Sequence, residues 1–92
     1  MTIVQSETGN MKKAKKIGVV ITHDEFNSYE FLTEALSQVF GYEISQAANC
    51  AHIIVEKGSY IVKTFDKSDL DKAAAYRDLL EDHQIPTKLI PL

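Results

Sequence analysis

The spacing of apolar residues changes along the chain in a way that predicts alternating strands and helices. The run Ile17–Thr22 is apolar and rich in β-branched residues, which is typical of a buried strand. A helix is expected to follow Asn27 and to extend to Phe40, and a second is expected at about Glu43–Lys57. In both segments apolar side chains recur every three or four positions. A glycine follows each helix, which favours termination there.

In the second half of the chain, apolar residues again follow strand-like and helix-like spacings. Residues 59–65 are expected to form a strand and residues 68–83 a third helix. Residues 87–92 are expected to form a short strand, which Pro91 restricts to a sheet edge. The order is therefore β-α-α-β-α-β. It predicts an α+β domain in which a three-stranded antiparallel sheet has the helices packed on one face.

The first helix has a candidate start signal. Asn27 is followed three residues later by Glu30, which is the spacing of a capping box. In that motif the first side chain accepts a hydrogen bond from a free backbone amide, and the acid reaches back to the cap. We therefore expect Asn27 to cap this helix.

Charge is unevenly distributed over the 92 residues. The chain has 10 basic and 13 acidic residues, a net charge of −3, yet four of its lysines lie within the first 16 positions beside a single acid. Residues 1–15 are therefore expected to form a flexible basic arm, and residues 16–92 one domain with a single core. The arm either keeps the domain soluble or contacts a partner, and its composition fits both roles.

Composition and motifs exclude several classes of protein. An acidic balance argues against nucleic acid as the main partner, because phosphate neutralisation needs clustered cations. No apolar run reaches the roughly 20 residues of a membrane span, and the N-terminus lacks the apolar core of a secretory signal. A single cysteine, Cys50, fits a reducing, cytoplasmic environment. No zinc-ligand spacing, phosphate-binding loop or catalytic triad occurs, so we expect a binding module without cofactor or metal rather than an enzyme.

One local cluster of titratable residues, His23, Asp24 and Glu25, stands between the first strand and the first helix. It is open to three interpretations: a metal or acid–base site, a solvated loop near the positive end of the helix dipole, and a site for a cationic group such as a free α-amino group. The third is favoured over a metal, because adjacent residues rarely converge on one ion and no second cluster supplies distant ligands. Tyr29 adjoins this loop and is expected to line a shallow pocket there.

The segment from Val20 to Leu32 resembles a motif of the ClpS family, the adaptors that hand proteins to the ATP-dependent Clp protease. The last twelve residues of its sequence VITHDEFNSYEFL align without a gap with a family pattern like LLNDDYTPMEFV. The resemblance covers about residues 16–92, with Gly58 after the second helix and Phe65 at the end of the second strand in family-like positions. It implies the same β-α-α-β-α-β fold. That fold is similar to the C-terminal domain of the large-subunit ribosomal stalk protein as well, so fold alone does not fix function.

The resemblance also implies a peptide-binding site. In the family, loop acids and a histidine late in the second helix hold the α-amino group of a peptide N-terminus, and an apolar pocket takes a bulky first side chain that marks the protein for degradation. Transferred position by position, the site consists of His23, Asp24, Glu25, Asn27, Tyr29, Ala51, Ile54 and Val55.

Five of these positions depart from the family pattern. Glu25 replaces an aspartate and keeps its charge, whereas Val55 replaces the histidine, His23 an asparagine, Asn27 a threonine, and Tyr29 a methionine at the pocket mouth. Each lost hydrogen bond to a charged group costs on the order of 1.5–3 kcal/mol. The resemblance therefore implies weak binding of bulky first residues, with the largest aromatic ones disfavoured by Tyr29.

The resemblance implies a chaperone partner as well. Family members bind the N-terminal domain of an AAA+ Clp chaperone through charged residues at the start of the third helix, one of which falls on Lys72. Their N-terminal segment, equivalent here to the basic arm, enters the chaperone during delivery. The expected function is thus an adaptor for Clp proteolysis. The alternatives are a divergent interaction or regulatory module without recognition of peptide N-termini, a ribosome-associated module and, least favoured, an enzyme.

Overall fold

The computed structural model describes residues 15–92, and it confirms the predicted element order and antiparallel sheet. The predicted basic arm, apart from Lys15, lies outside the described residues. The elements are β1 (Lys16–Thr22), α1 (Tyr29–Phe40), α2 (Ile44–Lys57), β2 (Ser59–Asp66), a 3₁₀ turn (Lys67–Asp69), α3 (Leu70–Asp82) and β3 (Thr87–Pro91).

The sheet has the strand order β2-β1-β3, with both pairings antiparallel. The most apolar strand, β1, takes the centre, because only there are its backbone groups paired on both sides. The proline-containing strand β3 is an edge, as predicted. A bulge places Val62 opposite no single residue of β1, since Val19 pairs with Lys63 and Val20 with Ile61.

The core lies between the sheet and the three helices. Alternate residues of β1 are fully buried in it, which is the period expected of a strand with one face toward helices. The helices contribute leucines, an isoleucine and four alanines, and the small alanines allow close approach of neighbouring elements. Members of this cluster include Ile17, Val19, Ile21, Leu32, Ala35, Leu36, Ala47, Ala51, Ile54, Ala73, Leu80, Ile85 and Leu89.

The start of α1 differs from the sequence prediction, and the predicted capping role of Asn27 is wrong. Ser28 is the N-cap, and its hydroxyl accepts a hydrogen bond from the Phe31 amide at 3.1 Å. The Asn27 side chain is instead buried and donates through Nδ2 to the carbonyl oxygen of Gln84 at 3.1 Å. The Asn27 side chain, which the local pattern assigned to the helix cap, therefore forms a tertiary contact with the segment before β3.

The helix ends follow local rules more closely. The residues after α1 and α2 are Gly41 and Gly58, with φ of 73° and 92°, a left-handed conformation that a side chain would disfavour. The third helix begins two residues later than predicted, because residues 67–69 form the 3₁₀ turn. In the described part of the chain, no helix combines the length and hydropathy needed to cross a bilayer.

Candidate functional site

The loop between β1 and α1, residues 23–28, is held to distant parts of the chain by main-chain bonds at its start and by the Asn27 side chain near its end. The His23 amide donates to the carbonyl oxygen of Gly58 at 2.8 Å, which ties the loop to the end of α2. The preceding Thr22 amide donates to the Pro86 carbonyl at 3.0 Å, next to the carbonyl of Gln84 that receives Asn27. The loop is thus fixed between the end of α2 and the connection from α3 to β3.

Asp24 shapes this loop from within. Its Oδ1 atom accepts the Phe26 amide at 3.0 Å, and its carbonyl oxygen accepts the Asn27 amide at 2.8 Å. These two bonds close a tight turn of the kind that aspartate favours. One carboxylate oxygen is therefore committed to the loop, and within the described residues the other has no partner. Glu25, the next residue, is exposed, and no residue of the range 15–92 pairs with its carboxylate.

The α2 residues implied for the pocket wall occupy two environments. Ala51 and Ile54 have no exposed surface, because both are packed in the hydrophobic core. Val55, one position further, is 39% exposed. The expected wall is therefore closed in this structure: Ala51 and Ile54 lie beneath the surface, and only Val55 presents an apolar side chain to solvent.

One depression, of about 390 Å³, borders the loop on the side of the α3–β3 connection. A second, of about 480 Å³, lies between α1 and α2 and begins at Tyr29, directly after the loop. The first is lined by Asp24, Phe26, Asn27, Phe31, His83 and Gln84. The second is lined by Tyr29, Glu30, Thr33, Glu34, Ser37, Gln38, Ile44 and Ala48. Asp24 and Asn27 thus share one depression, whereas Tyr29 belongs to the other.

Several residues of these depressions were not anticipated from the sequence. Phe26 is 85% exposed and Ile44 is 64% exposed, which is unusual for side chains of this size. Phe26 lies between polar residues in the loop and belongs to the apolar repeat of neither helix. This isolation was the sequence signal that could have predicted its exposure. No local sequence signal places His83 and Gln84 in this lining, because only the fold brings them beside the loop.

Nowhere in residues 15–92 do three His, Cys, Asp or Glu side chains lie together as metal ligands would. The Cys50 thiol is half-buried, and burial raises its pKa, which lowers the thiolate fraction at neutral pH. His52 lies 3.8 Å from Glu56 on the exposed side of α2, where the pair is an ordinary helix-surface contact.

Lys72, the residue expected to contact a chaperone, lies in the first turn of α3. Its side chain is exposed, and no residue in the described part of the chain pairs with it. Exposed Leu70 and the acid Asp71 precede it on the same turn. This end of α3 therefore offers a mixed apolar and charged surface at a different position from the β1–α1 loop.

Comparison with known proteins gives matches to one family and to solved structures. Residues 12–88 match the family described as ATP-dependent Clp protease adaptor protein ClpS. A solved structure of Agrobacterium tumefaciens ClpS2 bound to L-phenylalaninamide is similar to this chain with a TM-score of 0.70 and 18% sequence identity, over 86% of this chain and 99% of that one. At this identity the structural likeness supports the fold alone. No curated protein gives a significant match.

Proposed function

Because this chain belongs to the ClpS family of ATP-dependent Clp protease adaptors, we propose that it binds the N-terminus of a substrate protein and delivers it to the N-terminal domain of an AAA+ Clp chaperone in the cytoplasm. The family is one of adaptors rather than of catalysts. The proposed site accordingly works by recognition: acids hold an α-amino group, and apolar side chains contact the first residue.

The observation that supports this proposal is the fixed geometry of the acidic β1–α1 loop. Asp24 uses one oxygen to close the turn and keeps the other for a ligand, so its carboxylate is oriented before a ligand arrives. Glu25 adds a second, exposed negative charge at the same place. Hydrogen bonds to an ionised partner are roughly twice as strong as neutral ones, and a preorganised acceptor loses less entropy on binding.

The ligand of the similar ClpS2 structure supports the same ligand class. L-phenylalaninamide carries a free α-amino group beside a bulky apolar side chain. In this chain the corresponding contacts are proposed to come from Asp24 and Glu25 for the amine, with His23 and Asn27 beside them, and from Tyr29 and Val55 for the side chain.

The closed α2 wall favours a second candidate function. Ala51 and Ile54 expose no surface, and Val55 has no side-chain donor or acceptor to place opposite the loop acids. A chain with these properties also fits an interaction or regulatory module that shares the fold, has a different partner and does not recognise peptide N-termini. The two candidates predict different outcomes in a single titration.

That titration uses fluorescent peptides that differ only in the first residue and in whether their N-terminus is acetylated. If the chain recognises N-termini, a peptide with free N-terminal leucine binds measurably, its acetylated form binds far more weakly, and a tryptophan peptide binds less well than leucine because Tyr29 narrows the mouth. Val55→His should tighten binding at least tenfold by restoring a partner for the amine. A loop variant, Asp24→Asn, should weaken it by about the same factor.

The outcomes separate the candidates. Binding that ignores acetylation and both substitutions excludes recognition of the amine. Absence of binding in the wild type and in Val55→His favours the interaction module. Circular dichroism of each variant controls for folding.

Delivery to the chaperone is tested separately. We propose that Lys72 contacts the chaperone N-terminal domain and that residues 1–15 act as the arm that enters the chaperone, next to a single domain formed by residues 16–92. Lys72→Glu should weaken chaperone binding at least fivefold while changing the free energy of unfolding by less than about 0.5 kcal/mol, as is usual for an exposed position. Lys88→Glu, an exposed lysine of β3, is the matched control. Equal affinities for all three proteins contradict the assignment of Lys72.

A further inference from the structure

The groove between α1 and α2 combines an apolar floor with uncompensated negative charge. Tyr29 and Ile44 supply exposed apolar surface, and Ala48 is small enough to leave depth between the helices. Its volume of about 480 Å³ is within the range of pockets that hold several side chains. None of the lining residues is basic.

Two carboxylates lie along one side of this groove. Glu30 and Glu34 are separated by one helical turn on α1, so both reach the same groove. Within residues 15–92 neither forms a hydrogen bond or an ion pair, although the nearby hydroxyl of Thr33 is occupied by the carbonyl oxygen of Tyr29 at 2.9 Å. The groove therefore has apolar contact area and two acceptors that attract cations.

The groove begins close in sequence to the proposed site for the amine. Tyr29, which follows the β1–α1 loop directly, is one of its lining residues. On α2, Ala48 and Val55 are seven positions apart and so lie on the same helix face, two turns from each other. A peptide whose first residue lies at the loop and Val55 thus meets the groove next.

We propose that this groove binds the residues that follow the first residue of a substrate and selects substrates with basic side chains at alternate positions there. The inference rests on the proposed function, because it takes the peptide N-terminus to lie at Asp24 and Glu25. The occupant is an extended cationic peptide segment. Its apolar atoms cover Ile44 and Ala48, and its cations pair with Glu30 and Glu34.

The spacing of Glu30 and Glu34 supports basic residues at alternate positions of the peptide. The four-residue spacing separates the two acids by about 6 Å along α1, and an extended peptide places every second side chain on one side at about 6.6 Å. Each solvent-exposed ion pair changes affinity by about two- to fivefold, so two pairs should change it by about tenfold at low salt. Screening should remove most of this gain at 1 M salt, where the Debye length falls to about 3 Å.

The test compares peptides that share a free N-terminal leucine and differ only in the following residues. Lysines at positions 2 and 4, or at positions 3 and 5, are compared with serines and with glutamates at the same positions, using the full chain and fluorescence anisotropy. At low salt we expect one lysine register to bind about tenfold more tightly than the serine peptide, and the glutamate peptide to bind more weakly. In E30Q/E34Q the three should bind within about twofold of one another.

The matched control is E81Q/D82N, which removes the same charge from the far end of α3. It should keep the full lysine preference. Serine-peptide binding without a lysine preference, or a preference that E81Q/D82N abolishes equally, overturns the groove assignment and leaves the proposed function standing. Failure of every peptide to bind refutes both. A dimer seen by sedimentation that E30Q/E34Q dissociates would make a second copy the occupant and overturn the proposal.

Discussion

The side chain of Asn27 provides a direct test of how the β1–α1 loop is built. It is 6% exposed, and its Nδ2 atom donates to the carbonyl oxygen of Gln84, 57 positions away in sequence, at 3.1 Å. Asn27→Ala removes the donor and leaves a partly buried carbonyl without its partner. A net hydrogen bond contributes about 0.5–1.5 kcal/mol and an unsatisfied buried acceptor costs about 1–3 kcal/mol. We expect a loss of about 1–2 kcal/mol.

Asn27→Asp should be worse than Asn27→Ala at neutral pH. It replaces the donor by a carboxylate that faces the Gln84 carbonyl, so repulsion and burial of a charge add to the lost bond. A loss above about 2 kcal/mol is expected, a fall in melting temperature of roughly 8 °C or more for a domain of this size. The neighbouring position should behave in the opposite way. Ser28→Ala loses the cap and about 1 kcal/mol, whereas Ser28→Asp keeps a capping oxygen and should be nearly neutral.

Urea denaturation at pH 7, followed by far-UV circular dichroism, measures all four variants. The order that supports the structure is wild type and Ser28→Asp highest, then the two alanine variants, then Asn27→Asp lowest. Suppose instead that Asn27→Asp were as stable as wild type, and that Ser28→Asp and Ser28→Ala were equally stable. Asn27 would then be acting as the helix cap, since aspartate and asparagine cap equally well. The tertiary hydrogen bond would then be refuted.

Three further predictions concern other parts of the molecule. The Tyr42 hydroxyl donates to the Val62 carbonyl at 2.7 Å and burial raises its pKa, so the stabilisation contributed by Tyr42 should be complete below about pH 10 and be lost as the pH rises through the raised value. Tyr42→Phe should cost about 1 kcal/mol at pH 7 in urea titrations and leave the alkaline loss due to Cys50, whose pKa is also raised; an unchanged alkaline slope contradicts this. Gly18→Val should cost about 1–3 kcal/mol in the same assay, because a Cβ there already meets three side-chain atoms at 3.3 Å; a stabilised variant would show that the outer sheet face has spare room. Phe26→Ser should shift the unfolding free energy by less than about 0.5 kcal/mol, since this side chain is almost fully solvated, and a larger loss would place it in a packed site.

The fold was predictable from local patterns because each element satisfies its own requirements. The β-branched run of β1, the helical recurrence of apolar residues in α1 and α2 and the glycine after each are properties of neighbouring residues. The edge position of β3 followed from Pro91, which lacks a backbone donor. Two local assignments failed: the N-cap of α1, and the first turn before α3, where a short 3₁₀ segment and the helix proper differ by a single hydrogen-bond spacing.

The candidate site was predictable in part. The acids of the β1–α1 loop stand out in the sequence, and the structure adds that the Asp24 carboxylate accepts the Phe26 amide, while its binding role stays a prediction. The sequence could not predict whether the α2 wall of the pocket is exposed. A residue pattern places Ala51 and Ile54 on one helix face, but whether that face is open depends on how closely other elements approach it, and here both are fully buried.

The sequence by itself determined which segments become strands and helices and where the helices end, because those preferences arise within one or two turns of chain. Tertiary structure alone decided that Ser28 rather than Asn27 caps α1, since the choice depends on a carbonyl 57 positions further along. It also decided that Tyr29, Glu30 and Glu34 share a groove with α2. Two helices define a groove only through their packing, and that packing is fixed by the shared core, which no single segment encodes.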